Sequence, residues 1–291
     1  MRLRTVGLQI LLLLVSWNCS PLIAAEQVTE VPFKLYGGFA IVVRGVIGNQ
    51  HNLNFLVDTG AVPSVVHQRL ARELNLRGLP EEISVVSQKR SVERVALPTM
   101  RIGSLEFPPV SVVVVDLSSI ESRLGIRLDA IIGLDVLGSR NFTIDYRQHK
   151  LLIGLAGGTG EAIPFEVQMA ADAPFVVVRM ELNSQSVRIL LDTGSDGLTL
   201  FAGRMHERML FLKETVAGKD VNAGGEFAVE RVRISDLHLG GITRGEFQAA
   251  MVPSDASALC DFDGLLGPAS IGITRIAFDF THRILYLEVK R

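Results

Sequence analysis

Phe55-Leu-Val-Asp58-Thr-Gly-Ala61 and, 134 residues further on, Ile189-Leu-Leu-Asp192-Thr-Gly-Ser195 decide how this chain reads. In each run three apolar residues lead into an acid, followed by Thr-Gly and a small residue. An apolar strand that ends on a carboxylate must give that charge a partner, and a single such run is explained by a turn whose Asp caps local backbone amides. Two runs at matched positions call for a shared purpose.

The rest of the chain supplies the match, because it is written twice. Phe39-Ala-Ile-Val-Val-Arg-Gly-Val46 corresponds to Phe175-Val-Val-Val-Arg-Met-Glu-Leu182, and Asp129-Ala-Ile-Ile-Gly-Leu134 to Asp263-Gly-Leu-Leu-Gly-Pro268. Extended segments follow at residues 141–153 and 275–289. Gly133 and Gly267 stand 134 residues apart, as Asp58 and Asp192 do. A period this long indicates two lobes and not a solenoid, whose repeats run to roughly 20–50 residues. The expected organisation is a signal peptide over residues 1–25, a first lobe over 26–155, a Gly-rich linker over 156–162 and a second lobe over 163–291. Gly157-Gly-Thr-Gly160 lacks the Lys-Ser/Thr that would make it a phosphate loop.

Within each copy, Val- and Ile-rich runs at residues 40–47, 110–115 and 176–182 predict short strands. Apolar residues at helical spacing after each Asp-Thr-Gly predict one short helix per copy, over residues 66–76 and 201–210. Polar turns between apolar strands predict matching hairpins at residues 144–151 and 278–284. The fold class is all-β.

Composition narrows the function. The chain is 48% hydrophobic and 21% charged, which is globular. Its 29 basic and 31 acidic residues are interspersed, so no nucleic-acid partner is expected. Arg2 and Arg4, the apolar run over residues 8–15 and the small pair Ala24-Ala25 have the layout of an export signal, which predicts a periplasmic or secreted protein. Membrane association would come only through a retained signal or a lipid on Cys19, and Trp17-Asn18 before that cysteine lacks the small residues of a lipoprotein signal. Removing residues 1–25 leaves Cys260 as the single cysteine, so no internal disulfide is expected. His51, His67, His149, His206, His238 and His282 show no zinc-ligand spacing, Gly-x-Ser-x-Gly is missing, and no metal or cofactor is expected.

Asp-Thr-Gly in both copies, each paired with a distant apolar-apolar-Gly (Ile131-Ile132-Gly133 and Leu265-Leu266-Gly267), resembles the aspartic peptidases, both the bilobal pepsin-like enzymes and the retropepsin-like dimers. The resemblance covers most of the chain after residue 25. It implies two tandem retropepsin-like closed β lobes related by a pseudo-dyad, with Asp58 and Asp192 facing each other as the catalytic pair. Thr59 and Thr193 would bond across to the opposite loop, and Gly60 and Gly194 would permit the tight backbone. Ala61 matches the retropepsin form and Ser195 the pepsin form, in which a hydroxyl supports the neighbouring carboxylate. Residues 83–96, where a pepsin-like flap is expected, contain no Tyr, and residues 215–229 carry Gly218, Gly224 and Gly225 instead.

The chemistry fits the pair. Hydrolysing an amide without a metal or covalent nucleophile takes a base to activate water and an acid to polarise the carbonyl. Two close carboxyls supply both, since like charges a few ångströms apart share one proton. The expected function is an aspartic-type endopeptidase acting on a peptide or protein substrate; the alternative is a weakly active or inactive peptide-binding module of the cell envelope. Asp129 and Asp263 read as strand-entry residues, and Asp145 and Asp279 as turn formers. One chain with two half-sites needs no partner, so a monomer suffices and a homodimer stays open.

Overall fold

A computed structural model describes residues 28–85, 88–138, 140–170, 173–205, 213–222, 225–252 and 261–290. The expected signal segment, Cys19, His206 and Cys260 lie outside them. The described chain is dominated by strands, as its Val- and Ile-rich runs dictate, and the two copies fold alike.

The equivalence holds strand by strand. In the first lobe neighbouring strands run Leu79–Val85, Gln88–Leu97, Val110–Val115, Val65–His67, Ala130–Ile132, Gln50–Val57 and Ala40–Ile47, the last of these also pairing Met100–Ile102. In the second lobe the order is Lys213–Asn222, Gly225–Ile234, Phe247–Val252, Leu198–Phe201, Gly264–Leu266, Gln185–Leu191 and Ala173–Leu182, then Leu237–Leu239. The apolar-apolar-Gly strands run parallel to the strands that deliver the aspartates: Ile131 pairs Leu56 in one lobe and Leu265 pairs Leu190 in the other. On their other side they are antiparallel to Val65–His67 and Leu198–Phe201. Each is buried throughout, which is why its sequence is a continuous apolar run without alternation.

The two predicted hairpins form, and they pair with one another. Phe142–Asp145 lies antiparallel to Ile273–Asp279, with Phe142 opposite Phe278 and Ile144 opposite Ile276. The Phe142 and Phe278 rings stack at 4.5 Å between centroids, both fully buried. With Thr29–Tyr36, Lys150–Ile153, Ile284–Val289 and Glu161–Pro164, these two strands make six drawn from both lobes, continuous through Thr29–Tyr36 with the first-lobe strands in a 15-stranded sheet. A single buried cluster runs through it from Val31 and Phe55 to Leu237 and Leu287. Burying each of these large side chains contributes about 1.5–3 kcal/mol, so the two lobes are joined by a core. Residues 161 and 162, read as linker from sequence, belong to the first strand after the Gly-rich stretch.

Short helices follow the Asp-Thr-Gly loops at Gln68–Glu73 and Ala202–Met205. His67 caps the first of them by accepting a bond from the Arg69 amide at 3.0 Å. The first lobe carries two helices beyond the expected one, Ser118–Leu124 and Leu134–Leu137. No helix among the described residues is long and apolar enough to cross a membrane.

Candidate active site

The strands ending at Val57 and Leu191 lead directly into the two Asp-Thr-Gly loops, which meet across the pseudo-dyad. Thr59 and Thr193 hold them together. The Thr59 amide donates to Thr193 Oγ1 and the Thr193 amide to Thr59 Oγ1, both at 3.1 Å. Thr59 Oγ1 donates in turn to the Leu191 carbonyl at 2.7 Å, and Thr193 Oγ1 to the Val57 carbonyl at 3.0 Å. Both threonines are fully buried, so these four bonds satisfy groups that water cannot reach. A hydroxyl side chain is required because it must donate one way and accept the other.

Each aspartate is fixed by its own loop. Asp58 Oδ1 accepts the Gly60 amide and Asp192 Oδ1 the Gly194 amide, both at 2.8 Å. The glycines answer a second demand. A Cβ on Gly60 would lie 2.5 Å from Asp192 Cγ, and one on Gly194 would lie 2.4 Å from Asp58 Oδ2. Each carboxyl therefore rests on the other lobe's glycine, and only a residue without a side chain admits the pair. Gly133 and Gly267 have a related reason: a Cβ there would meet the carbonyl oxygens of Ala61 and Ser195 at 1.8 and 2.1 Å.

This proximity controls protonation. Burial pushes the Asp192 carboxyl well above the ordinary carboxylate range, and the charge of Asp58 beside it pushes further. Burial also raises Asp58, opposed by its bond with Asp192 and by the Gly60, Ala61 and Gly194 amides. The two act as one coupled acid that keeps a proton well above the ordinary carboxylate range.

The floors of the two loops differ. In the first lobe Ser64 donates through its amide to Asp135 Oδ2 at 2.6 Å, and its hydroxyl accepts the Gly133 amide at 2.8 Å. In the second, the Gly267 amide donates instead to the Gly197 carbonyl at 2.8 Å. The Ser195 hydroxyl donates to the Gly197 carbonyl at 3.2 Å, so it braces its own loop in place of the carboxylate support that the resemblance implied. Ser64 and Asp135 escape a sequence reading built on the repeat, because the positions answering them are Leu198 and Ala269.

A cavity of about 260 Å³ opens above the pair and contains both aspartates. Its first-lobe wall is apolar, formed by Phe39, Leu56, Val65, Val113, Ile120 and Ile131. The second lobe has an apolar cluster of its own, in which the Phe175 and Phe201 rings pack on Phe262, and its Leu265 lines the cavity. Over the top stand two long hairpins, Leu79–Val85 with Gln88–Leu97 and Lys213–Asn222 with Gly225–Ile234. Ile83 of the first and Val221 and Phe227 of the second line the cavity. Residues 83–96 and 215–229, the regions read for flaps, thus fall within one paired hairpin per lobe.

Asp129, Asp263, Asp145 and Asp279 are structural. Asp129 Oδ2 accepts the Asn54 amide at 2.9 Å and Asp263 Oδ2 the Arg188 amide at 2.8 Å, the same stitch in each lobe. Asp145 Oδ1 accepts the Arg147 and Gln148 amides, and Asp279 Oδ1 the His282 amide, which closes the hairpin turns. Among the described residues no group of three or more His, Cys, Asp or Glu side chains is placed to hold a metal ion.

Comparison with known proteins agrees with this geometry. A family model described as aspartyl protease matches residues 43–136 and again residues 178–268, one match per lobe. No curated protein matches the chain.

Proposed function

The chain belongs to the aspartyl protease family, and from that premise we propose that it is an aspartic-type endopeptidase that cuts extended peptide segments with a water activated between Asp58 and Asp192. The observation that carries this reading is the mutual seating of the carboxyls, each against the glycine of the opposite loop, in one cavity beneath two flaps. In this proposal Asp58 is the ionised member and takes a proton from the water as the water oxygen bonds to the scissile carbonyl carbon, while Asp192 gives its proton to the carbonyl oxygen. The resulting gem-diol collapses as the C–N bond breaks; the amine leaves with the proton held on Asp58, and Asp192 recovers its own from the diol. No cofactor enters these steps. The flap strands offer backbone edges with which an extended substrate can pair, and the apolar first-lobe wall receives a large hydrophobic side chain.

We extend the proposal to cellular context: residues 1–25 direct export, and the mature chain works in the periplasm or outside the cell, complete as a monomer. The test is incubation of the mature protein with a diverse peptide library between pH 3 and 7, beside Asp58→Asn and Asp192→Asn. Cleavage by the wild type that either substitution abolishes is expected. Cleavage surviving either substitution refutes the dyad, and a folded protein that binds the peptides uncut would make the chain a binding module.

A further inference from the structure

The fourth residue beyond each catalytic aspartate reaches toward the opposite lobe. After Asp58 that residue is Val62, which packs against the apolar cluster of the second lobe. After Asp192 it is Asp196, which is ion-paired with Arg123 in the last turn of the first-lobe helix Ser118–Leu124. Equivalent positions therefore cross between the lobes by a hydrocarbon contact in one case and by an ion pair in the other. Both Arg123 and Asp196 line the cavity that holds the carboxyl pair. Their side chains are 42% and 49% exposed, and a pair this open adds little to stability and exchanges partners readily.

The two partners differ in freedom. Asp196 sits on the catalytic loop, two residues past Gly194, where the threonine bonds fix the backbone. Arg123 is a long side chain that regains rotamers when released. A substrate cation that takes its place leaves Arg123 to water. A substrate anion displacing Asp196 would instead strand a carboxylate that cannot withdraw, in a cavity already lined by the Asp58 and Asp192 carboxyls.

We propose that Asp196 is a specificity-determining carboxylate that selects a lysine or arginine side chain of the substrate, Arg123 being its occupant when the cleft is empty. This rests on the peptidase reading above. The experiment measures kcat/KM for peptides that differ only in Lys, Gln or Glu at each position flanking the scissile bond. At one position Lys is favoured over Gln about three- to fivefold at low salt, and less at about 0.5 M salt. Asp196→Asn brings that ratio close to one. Exchanging the pair, Arg123→Asp with Asp196→Arg, keeps an inter-lobe bridge but inverts the preference toward Glu. A merely structural bridge would leave the ratio unmoved in the exchanged variant, and that result overturns the proposal. Cleavage by the wild type with no charge preference at any position refutes the subsite alone, whereas no cleavage even of the Gln peptides refutes the peptidase reading and the subsite with it.

Discussion

Replacing Thr59 by alanine removes one half of the contact between the two Asp-Thr-Gly loops, and its consequence can be worked from the bonds. The Thr59 hydroxyl donates to the Leu191 carbonyl at 2.7 Å and accepts the Thr193 amide at 3.1 Å. Thr59→Ala leaves both partners unpaired in a place where Thr59 itself is 0% exposed. A buried group left without its bond costs about 1–3 kcal/mol, so with two such groups the variant loses roughly 2–6 kcal/mol. In a chain of this size that lowers Tm by roughly 5–15 °C. Thr59→Ser retains the hydroxyl and should recover most of the loss. Thr193→Ala breaks the other two bonds of the set and should match Thr59→Ala. Thermal and urea unfolding of the three variants measure this. Thr59→Ala within about 0.5 kcal/mol of wild type, or Thr59→Ser as destabilised as alanine, would refute the reasoning, because either result means that the bonds do not hold the loops.

Gly194→Ala puts a methyl 2.4 Å from Asp58 Oδ2 and must displace that carboxyl; peptide hydrolysis should fall at least about 100-fold with the fold retained, read as kcat/KM beside far-UV circular dichroism. The dyad also sets a pH dependence: both folded-state pKa values are raised, so the folded state binds more protons than the unfolded state above the ordinary value of 3.8, and stability falls as pH climbs from there through the Asp192 transition. Asp192→Asn cannot ionise, so at neutral pH it should melt above wild type, with the difference vanishing near pH 3; a difference independent of pH contradicts this. Phe278→Ala opens a void opposite Phe142 in the sheet shared by both lobes and should cost about 3–5 kcal/mol by denaturant unfolding.

The meeting of the two Asp-Thr-Gly loops was legible because the motif is repeated: an acid after an apolar strand is ambiguous once and informative twice. The same logic read the hairpins at residues 144–151 and 278–284 correctly but not their union. Phe142 and Phe278 pair across a long sequence separation, and strand pairing at that range leaves no local trace. What the repeat does not preserve stayed hidden. Ser64 and Asp135 brace only the first loop, and Arg123 sits on a helix for which the second lobe has no described counterpart. Ser195 shows the opposite error: its type matched the resemblance, yet its hydroxyl turns to the Gly197 carbonyl, a choice set by backbone geometry and not by residue identity. The flaps are read poorly from a missing Tyr, because a long hairpin with charged, alternating strands forms without one.

The central claim is that Asp58 and Asp192 titrate as one acid sharing a proton across the two loops. Carboxyl carbon NMR of the aspartate-labelled protein followed over pH tests it without a substrate. The account predicts two resonances that shift together in two steps, the upper step well above the ordinary carboxylate range and lost in Asp192→Asn. Two aspartates that titrate independently near 3.8 would contradict it.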